Sequence, residues 1–261
     1  MFARIYRTYG VGFGIRAATR EMVDVMAASL PLGAEHAPSG AVTNAWFSIL
    51  HDGGRGRYVV ERDGEALAEA SDLEHAAAAF EARVTLHVAE MTPHFVFMHA
   101  GVVAWRGHLL LFPGRSMSGK STLVAEMVRA GGAYFSDEYA VIAPDGRVHP
   151  YTRPLQLRVP GAREQVRRSV YDIGGVPATG ALAPSLVVLS RYRAGATWRP
   201  KRVSPGRAAF ELLQHTMCAV ENPPAAMDAV HRLAASVPVW RGVRGDVAQI
   251  IAFADRELAE S

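Results

Sequence analysis

The chain has 261 residues, of which 49% are hydrophobic and 20% are charged. This length and composition predict a globular protein of one large or two modest domains, and they exclude disordered, collagen-like and disulfide-scaffold proteins. The 28 basic and 25 acidic residues leave a net charge of +3, which is too small to indicate a nucleic-acid-binding protein by itself.

The sequence also carries signals about the cellular compartment. Cys218 is the single cysteine, so no disulfide can form within the chain. The first 16 residues contain arginines and glycines where a signal peptide has an apolar run. The longest charge-free stretches, 91–105 and 173–190, are interrupted by His, Gly or Pro, so neither predicts a membrane span. We therefore expect a cytoplasmic protein with no membrane partner.

Residues 1–94 predict a small α+β N-terminal domain. The hydrophobic pattern predicts strands over 2–9, 12–18, 45–51 and 57–62, and helices over 20–30 and about 73–90. Ser71 and Glu74 form a capping-box pattern at the start of the last helix. We expect the domain boundary near Thr92-Pro93.

Residues 95–261 predict an α/β domain. The expected strands are 95–104, 108–112, 133–136, 139–143, 147–151 and 185–189, and the expected helices are 120–130, 206–219, 225–235 and 246–260. The first two of these strands are separated by Arg106-Gly107, and a glycine-rich stretch follows the second strand. That stretch carries the strongest motif of the chain.

The glycine-rich stretch fits the phosphate-binding loop pattern G-x-x-x-x-G-K-[ST], also called Walker A. Glycines let successive backbone N–H groups point at phosphate oxygens, and the following helix adds its positive N-terminal end. We expect Lys120 to reach the β- and γ-phosphates and the Ser121 hydroxyl to bind Mg²⁺. The nucleotide-binding residues are predicted to be Gly114, Arg115, Ser116, Met117, Ser118, Gly119, Lys120, Ser121 and Thr122.

Asp137 and Glu138 end the next predicted strand. Two adjacent carboxylates shortly after a phosphate loop suit metal-dependent phosphoryl transfer, because one can bind Mg²⁺ and the other can accept a proton from an attacking hydroxyl. Two further residues indicate a function less specifically. His99 lies in an apolar stretch where a histidine is usually part of the core, and Arg207 lies in a Pro-Gly loop that either clamps phosphates or is a basic surface loop.

In this order, the motifs resemble the bacterial HPr serine kinase/phosphorylase and its stand-alone kinase relatives. The resemblance covers about residues 95–218. It rests on His99-Ala100-Gly101-Val102, the loop Gly114–Ser121, Arg129-Ala130-Gly131, Phe135-Ser136-Asp137-Glu138 and Pro205-Gly206-Arg207. It implies a P-loop kinase domain of the HPr kinase and phosphoenolpyruvate carboxykinase type, with ATP and Mg²⁺ as cofactors and a possible homo-oligomer.

The resemblance also implies roles for single residues. Asp137 would be the general base, and Glu138 would assist Ser121 at the metal. His99 would sit near the transferred phosphate, and Arg207 would approach the substrate. Four positions depart from the family pattern, namely Met117, Glu138, Ser204 and Ala208, where the family has Gly, Asp, Arg and Asn. Residues 1–94 do not resemble that enzyme's N-terminal domain, and we expect them to recognise substrate or to make oligomer contacts.

The first hypothesis is therefore an ATP-dependent kinase that phosphorylates a hydroxyl, preferentially a serine of a peptide or protein. The departures resemble relatives found beside peptide-modifying enzymes, so a ribosomal precursor peptide is included among the acceptors. The alternatives are a small-molecule hydroxyl kinase on the same scaffold and a nucleotide-sensing regulatory protein. Nucleic-acid binding is the weakest hypothesis, because the basic residues look scattered and no recognition helix is evident.

Overall fold

The structure, a computed structural model, describes residues 1–30, 33–115, 118–158 and 165–259. The described residues form both strands and helices, so the protein is of the mixed α/β class. The chain divides into two units, Met1–His94 and Phe95–Ser261. Among the described helices, none is both long and apolar enough to cross a membrane.

The first unit is a six-stranded sheet with two helices. The sheet order is β3-β1-β2-β4-β5-β6, and β2 runs parallel to β4 while the other neighbours are antiparallel. The rings of Phe13, Phe47 and Phe80 meet edge to face in the core. In chain order the elements are β1 (Phe2–Thr8), β2 (Val11–Ala17), α1 (Arg20–Ala28), β3 (Glu35–Ala37), β4 (Trp46–Asp52), β5 (Arg57–Arg62), β6 (Glu65–Ala70) and α2 (Leu73–Met91).

Side chains cap both helices of this unit. The Thr19 hydroxyl accepts a hydrogen bond from the Met22 amide at 3.2 Å, and the Asp72 carboxylate accepts one from the His75 amide at 2.9 Å. The capping-box prediction was therefore wrong by one residue, because Asp72 rather than Ser71 is the cap. A carboxylate also interacts favourably with the positive end of the helix dipole.

The second unit contains a larger mixed sheet, a separate two-stranded sheet and four of the described helices. The larger sheet has the order β11-β10-β7-β8-β14-β16-β15, and β9 also pairs with β7. The two-stranded sheet is β12-β13. The elements are β7 (Val96–Trp105), β8 (His108–Pro113), α3 (Lys120–Arg129), β9 (Ala133–Ser136), β10 (Tyr139–Ile142), β11 (Val148–His149), β12 (Leu155–Arg158), β13 (Gln165–Arg168), β14 (Pro184–Tyr192), β15 (Lys201–Arg202), α4 (Pro205–Leu213), α5 (Pro223–Ser236), β16 (Val239–Arg244) and α6 (Ala248–Ala259).

The larger sheet is covered by helices on both faces. Val187 and Leu189 of β14 pack with residues of α4 and α5 on one face. Leu186 and Val188 pack with residues of α3 and α6 on the other. Alternation along the strand therefore separates an α4 face from an α3 face, and both faces are apolar, as buried sheets of α/β proteins usually are.

The arrangement of strands concentrates loops at one edge. β8 is parallel to β14, and β14 is parallel to β16, so the carboxyl ends of all three strands lie at the same edge. Beyond β8, residues 215–217 continue along β7: the His99 amide donates to the His215 carbonyl and the Met217 amide to the Phe97 carbonyl, both at 2.7 Å. This pairing explains why α4 ends at Leu213, short of the predicted end at residue 219.

Candidate functional site

The glycine-rich loop connects β8 to α3 at this carboxyl edge. β8 ends at Pro113 and α3 begins at Lys120. The Gly114 amide donates to the His99 carbonyl at 3.2 Å, which ties the start of the loop to β7. Gly119 has φ +86°, a left-handed conformation that favours glycine and allows the sharp turn into the helix. Ser116 and Met117, which the motif also includes, lie outside the described residues.

Lys120 lies inside this loop. Its side chain bends back so that Nζ donates to the Gly114 carbonyl at 2.8 Å and to the Arg115 carbonyl at 2.9 Å. The residue is only 8% exposed. Burial lowers the pKa of Lys120 to about 8, while the carboxylates of Glu138 and Asp137 oppose this shift. A lysine ammonium has three N–H donors, so one remains beside these two bonds for a phosphate oxygen.

The hydroxyls next to Lys120 belong to Ser118, Ser121 and Thr122, and their positions bear on whether the loop fits a nucleotide with its metal. The Ser118 Oγ is buried and has no hydrogen-bond partner among the described residues, so it is available to a phosphate oxygen. Ser121 is partly buried in the first turn of α3, and Thr122 is exposed. Backbone N–H groups at the start of α3 have no partner within the helix. This donor set fits phosphates, and the Ser121 hydroxyl is of the oxygen type that Mg²⁺ prefers.

Arg244, the last residue of β16, contacts the loop directly. It is only 2% exposed. Its Nη2 donates to the Gly119 carbonyl at 2.7 Å, and its guanidinium lies over the Tyr192 ring at 5.5 Å from the centroid. Desolvation lowers the pKa of Arg244 and Tyr192 opposes this shift. A Cβ added at Gly119 would lie 2.8 Å from Nη2, so the loop and the arginine are in close contact.

Asp137 faces the same side of the sheet as α3. Ser136 pairs with Val102 and Tyr139 with His99, so Asp137 stands opposite Gly101. A Cβ built at Gly101 would meet the side chains of Val124 and Lys120 on α3. Residues opposite each other in a sheet share a face, so the carboxylate of Asp137 is placed towards the helix that carries Lys120.

Two groups hold the buried carboxylate of Asp137, which is 2% exposed. The Tyr134 hydroxyl lies 3.0 Å from Oδ1, and the backbone nitrogen of Gln156 lies 3.5 Å from Oδ2. The same hydroxyl lies 3.0 Å from the Arg153 carbonyl. Burial, with the charge of Asp137, raises the pKa of Tyr134 well above its usual value, so the phenol keeps its proton and can donate it. The second oxygen, Oδ2, is the less strongly held.

Glu138 interacts with two cationic or titratable side chains. The Arg153 guanidinium forms an ion pair with Oε2, and His99 Nε2 lies 3.5 Å from Oε1. The backbone is also fixed, because the Ala100 amide donates to the Glu138 carbonyl at 2.9 Å. Arg153 was not identified from the sequence. No charge pattern around it could have indicated this ion pair, because its partner is 15 residues away.

Two histidines stand beside the loop. Burial, with the charges of Lys120, His215 and Arg153, lowers the pKa of His99 to about 4, so this imidazole is neutral at physiological pH. Burial also lowers the pKa of His215, and the nearby Lys120 and Arg115 act in the same direction. The structure therefore brings His99 to the phosphate loop and adds His215 beside it.

Arg207 occupies a different position from the other predicted residues. It lies in the first turn of α4, and its Nε donates to Glu211 Oε1 at 2.9 Å. It is eight residues from His215, which corresponds to about 12 Å along a helix. The structure thus groups His99, Lys120 and the paired acids, and it places Arg207 at the other end of α4.

No model of a known protein family matches this chain, and no curated protein matches it significantly. A functional interpretation therefore depends on the motif and on the geometry of the residues around it.

Proposed function

We propose that this protein is an ATP-dependent kinase that phosphorylates a hydroxyl group, preferentially a serine of a peptide or protein. The observation that carries the proposal is the position of Lys120. Its ammonium group is buried in a glycine-rich loop at a helix N-terminus, on the sheet face to which Asp137 is also placed. A cation for the phosphates and a carboxylate for the acceptor proton are the two groups that phosphoryl transfer requires most.

The nucleotide would be held by residues 114–122. Lys120 and the backbone amides at the start of α3 would bind its phosphates, and Ser118 would supply a further hydrogen bond. Ser121 would bind Mg²⁺, which, when bound, neutralises negative charge on the phosphates. Arg244 would keep Gly119, and with it the loop, in the conformation that binds phosphates.

The carboxylates would divide the remaining tasks. Asp137 would accept the proton of the acceptor hydroxyl at Oδ2, because Tyr134 already occupies Oδ1. The hydroxyl oxygen forms a bond to the γ-phosphorus as the bond from that phosphorus to the β–γ bridging oxygen breaks, and ADP is the leaving group. Glu138, which pairs with Arg153 and approaches His99, would place a second charged group near the metal and the transferred phosphoryl group.

The finer fold assignment is part of this proposal. The order strand β8, loop and helix α3 supports a P-loop kinase domain of the HPr kinase type over residues 95–261. The parallel strands β8, β14 and β16 support it further, because ligands bind at the carboxyl ends of parallel strands in open α/β sheets. Residues 1–94 would recognise the substrate or make oligomer contacts.

A pair of substitutions tests the proposal. Asp137→Asn should bind ATP with near-normal affinity but lose turnover, whereas Lys120→Ala should lose ATP binding. The assay combines titration of ATP and GTP in the presence of Mg²⁺ with incubation of the protein, labelled ATP and a lysate of the host. Asp145→Asn is the matched control, because Asp145 is an exposed aspartate whose described contacts are with Arg147.

Labelling of a discrete peptide or protein that disappears with Asp137→Asn supports the proposal and identifies the acceptor. Labelling of small molecules alone favours the metabolite kinase. Hydrolysis of ATP without a phosphorylated product favours the regulatory protein. Absence of nucleotide binding by the unsubstituted protein would refute the phosphate-loop assignment and the function with it.

A further inference from the structure

Positive charge is concentrated in one stretch of the chain. Residues 173–210 contain six Arg and Lys residues and no Asp or Glu. The net charge of this stretch is therefore larger than the net charge of the whole chain, which is +3. All six basic side chains are exposed. They are Arg191, Arg193, Arg199, Lys201, Arg202 and Arg207. The other 22 basic residues lie elsewhere in the chain, so this stretch differs from the rest mainly by its lack of acidic residues.

The sheet and helix α4 bring four basic residues to one face. Leu189 pairs with Arg241 and packs with α4 and α5, so Arg191, two residues on, also lies on the α4 face. Lys201 pairs with Arg241 across β15 and β16 and shares that face. Arg207, on α4 itself, completes the group. We call Arg191, Lys201, Arg207 and Arg241 the basic edge.

The charge of the basic edge is mostly uncompensated. Arg207 and Arg241 share one carboxylate oxygen, Glu211 Oε1, at 2.9 and 3.0 Å. Within the described part of the chain, no carboxylate lies within ion-pair distance of Arg191 or Lys201. Like charges gathered on one surface repel each other and do not stabilise the fold. A binding partner of opposite charge would account for the arrangement.

The basic edge also offers main-chain groups. β15 is the last strand of its sheet order and pairs only with β16 among the described strands. An exposed edge strand can accept an extended peptide by main-chain hydrogen bonding, a mode that nucleic acids cannot use. The edge strand therefore favours a peptide over a nucleic acid as the partner of this basic surface.

The position of α4 relates the basic edge to the phosphate loop. Arg207 lies in the first turn of α4, and His215, which follows the helix, bonds to His99 beside the loop. The separation of these two residues is about 12 Å along the helix axis. An extended peptide covers about 3.3 Å per residue, so about four residues span this distance.

We propose that the basic edge binds acidic side chains of the peptide acceptor, within about four residues of the hydroxyl that is phosphorylated. This inference rests on the proposed kinase function and narrows its substrate class to acidic peptide segments. Electrostatic recognition of this kind mainly determines specificity and association rate.

A binding measurement tests the surface without requiring turnover. The probe is a labelled serine peptide with a glutamate cluster, compared with the same peptide carrying glutamines and with a single-stranded oligonucleotide. We expect the glutamate peptide to bind most tightly and to bind more weakly as salt is added. The double substitution Arg191→Glu and Lys201→Glu should weaken it about tenfold or more. Equal binding of the glutamine peptide, or tighter binding of the oligonucleotide, would overturn the proposal.

The control variant carries Arg147→Glu and Arg256→Glu. These residues are exposed in the same unit, Arg147 at the β10–β11 turn and Arg256 on α6, away from the basic edge. The change in net charge is the same, so a general charge effect would weaken peptide binding equally in both variants and would refute a specific surface. Both variants should bind ATP normally, which reports that the fold and the phosphate loop are intact.

A kinase assay with the same peptides separates the two proposals. KM should be lowest for the peptide whose glutamates lie within about four residues of the serine, and the double substitution at the basic edge should remove this preference. Equal phosphorylation of the peptides with and without glutamates would refute the acidic-acceptor inference without contradicting the proposed kinase function. The opposite outcome is that the protein binds the glutamate peptide specifically but phosphorylates no peptide and shows no turnover in lysate. That result would refute the proposed kinase function and leave the proposal of an acidic-peptide binding surface standing.

Discussion

Replacing Tyr134 with phenylalanine removes one buried hydroxyl and little else. That hydroxyl lies 3.0 Å from Asp137 Oδ1 and 3.0 Å from the Arg153 carbonyl, and it has one proton to donate. The carboxylate is the stronger acceptor, because hydrogen bonds to ionised groups are stronger than those between neutral groups. Phenylalanine keeps the ring, so Tyr134→Phe frees Oδ1 of Asp137 without creating a cavity of significant size.

The expected magnitude follows from the charge of the acceptor. A hydrogen bond to a charged group contributes about 1.5–3 kcal/mol, so the free energy of unfolding should fall by about that amount. If the same interaction orients the base, kcat should fall roughly tenfold to a hundredfold, because about 1.4 kcal/mol corresponds to a factor of ten. The KM for ATP should be unchanged, because the Tyr134 hydroxyl contacts Asp137 and Arg153 rather than the phosphate loop.

The assay measures kcat, KM for ATP and urea unfolding for Tyr134→Phe beside Trp105→Phe. Trp105 Nε1 donates to Asp255 Oδ1 at 2.7 Å, so the control also removes one aromatic hydrogen bond to an aspartate. Trp105 lies four residues along β7 from Gly101, about 13 Å from the base. The control should lose stability and keep kcat. Similar kcat values for the two variants would refute the assignment of Tyr134 as the residue that positions Asp137.

Three further predictions concern the phosphate loop. Because the pKa of Lys120 is about 8 and phosphates favour its charged form, ATP binding near pH 8.5 should take up protons. Calorimetry in two buffers of different ionisation enthalpy measures this uptake, and equal heats in both would contradict it. Gly119→Ala should lower the melting temperature and weaken ATP binding more than Gly146→Ala, because φ is +86° and +83° respectively but only Gly119 has Arg244 within 2.8 Å of an added Cβ. Equal effects of the two alanines would show that this close approach is unimportant. Arg244→Lys should weaken ATP binding about tenfold, because lysine cannot both donate to the Gly119 carbonyl and stack on a ring as a planar guanidinium does. An unchanged dissociation constant with an intact circular dichroism spectrum would count against the supporting role of Arg244.

Much of the local structure could be predicted from the sequence. The apolar runs predicted β7 and β8, and the order of glycines, Lys120 and an amphipathic segment predicted the loop and α3. These predictions succeed because a tight turn at φ +86°, a helix start and a strand each depend on residues adjacent in the chain. Six strands were missed, namely β3, β6, β12, β13, β15 and β16, because short strands are determined by pairing partners that are distant in sequence.

The end of α4 shows how tertiary structure can overrule a local pattern. The hydrophobic periodicity continues through residues 214–219, which predicted a longer helix. The structure instead uses residues 215–217 to complete hydrogen bonds along β7, where the chain leaves β8 to form the phosphate loop. Buried backbone groups must be paired, and this requirement outweighs the modest helix propensity of a few residues.

By itself the sequence determined the chemistry that is contiguous in the chain: a phosphate loop, its lysine and an adjacent pair of acids. Only the tertiary structure decided which groups hold them. Arg153 pairs with Glu138, Tyr134 binds Asp137, and Arg244 supports Gly119 from a position 125 residues away. The physical reason is that buried polar groups are satisfied by whichever partners the packing of strands and helices brings within hydrogen-bond distance, and sequence separation does not enter that distance.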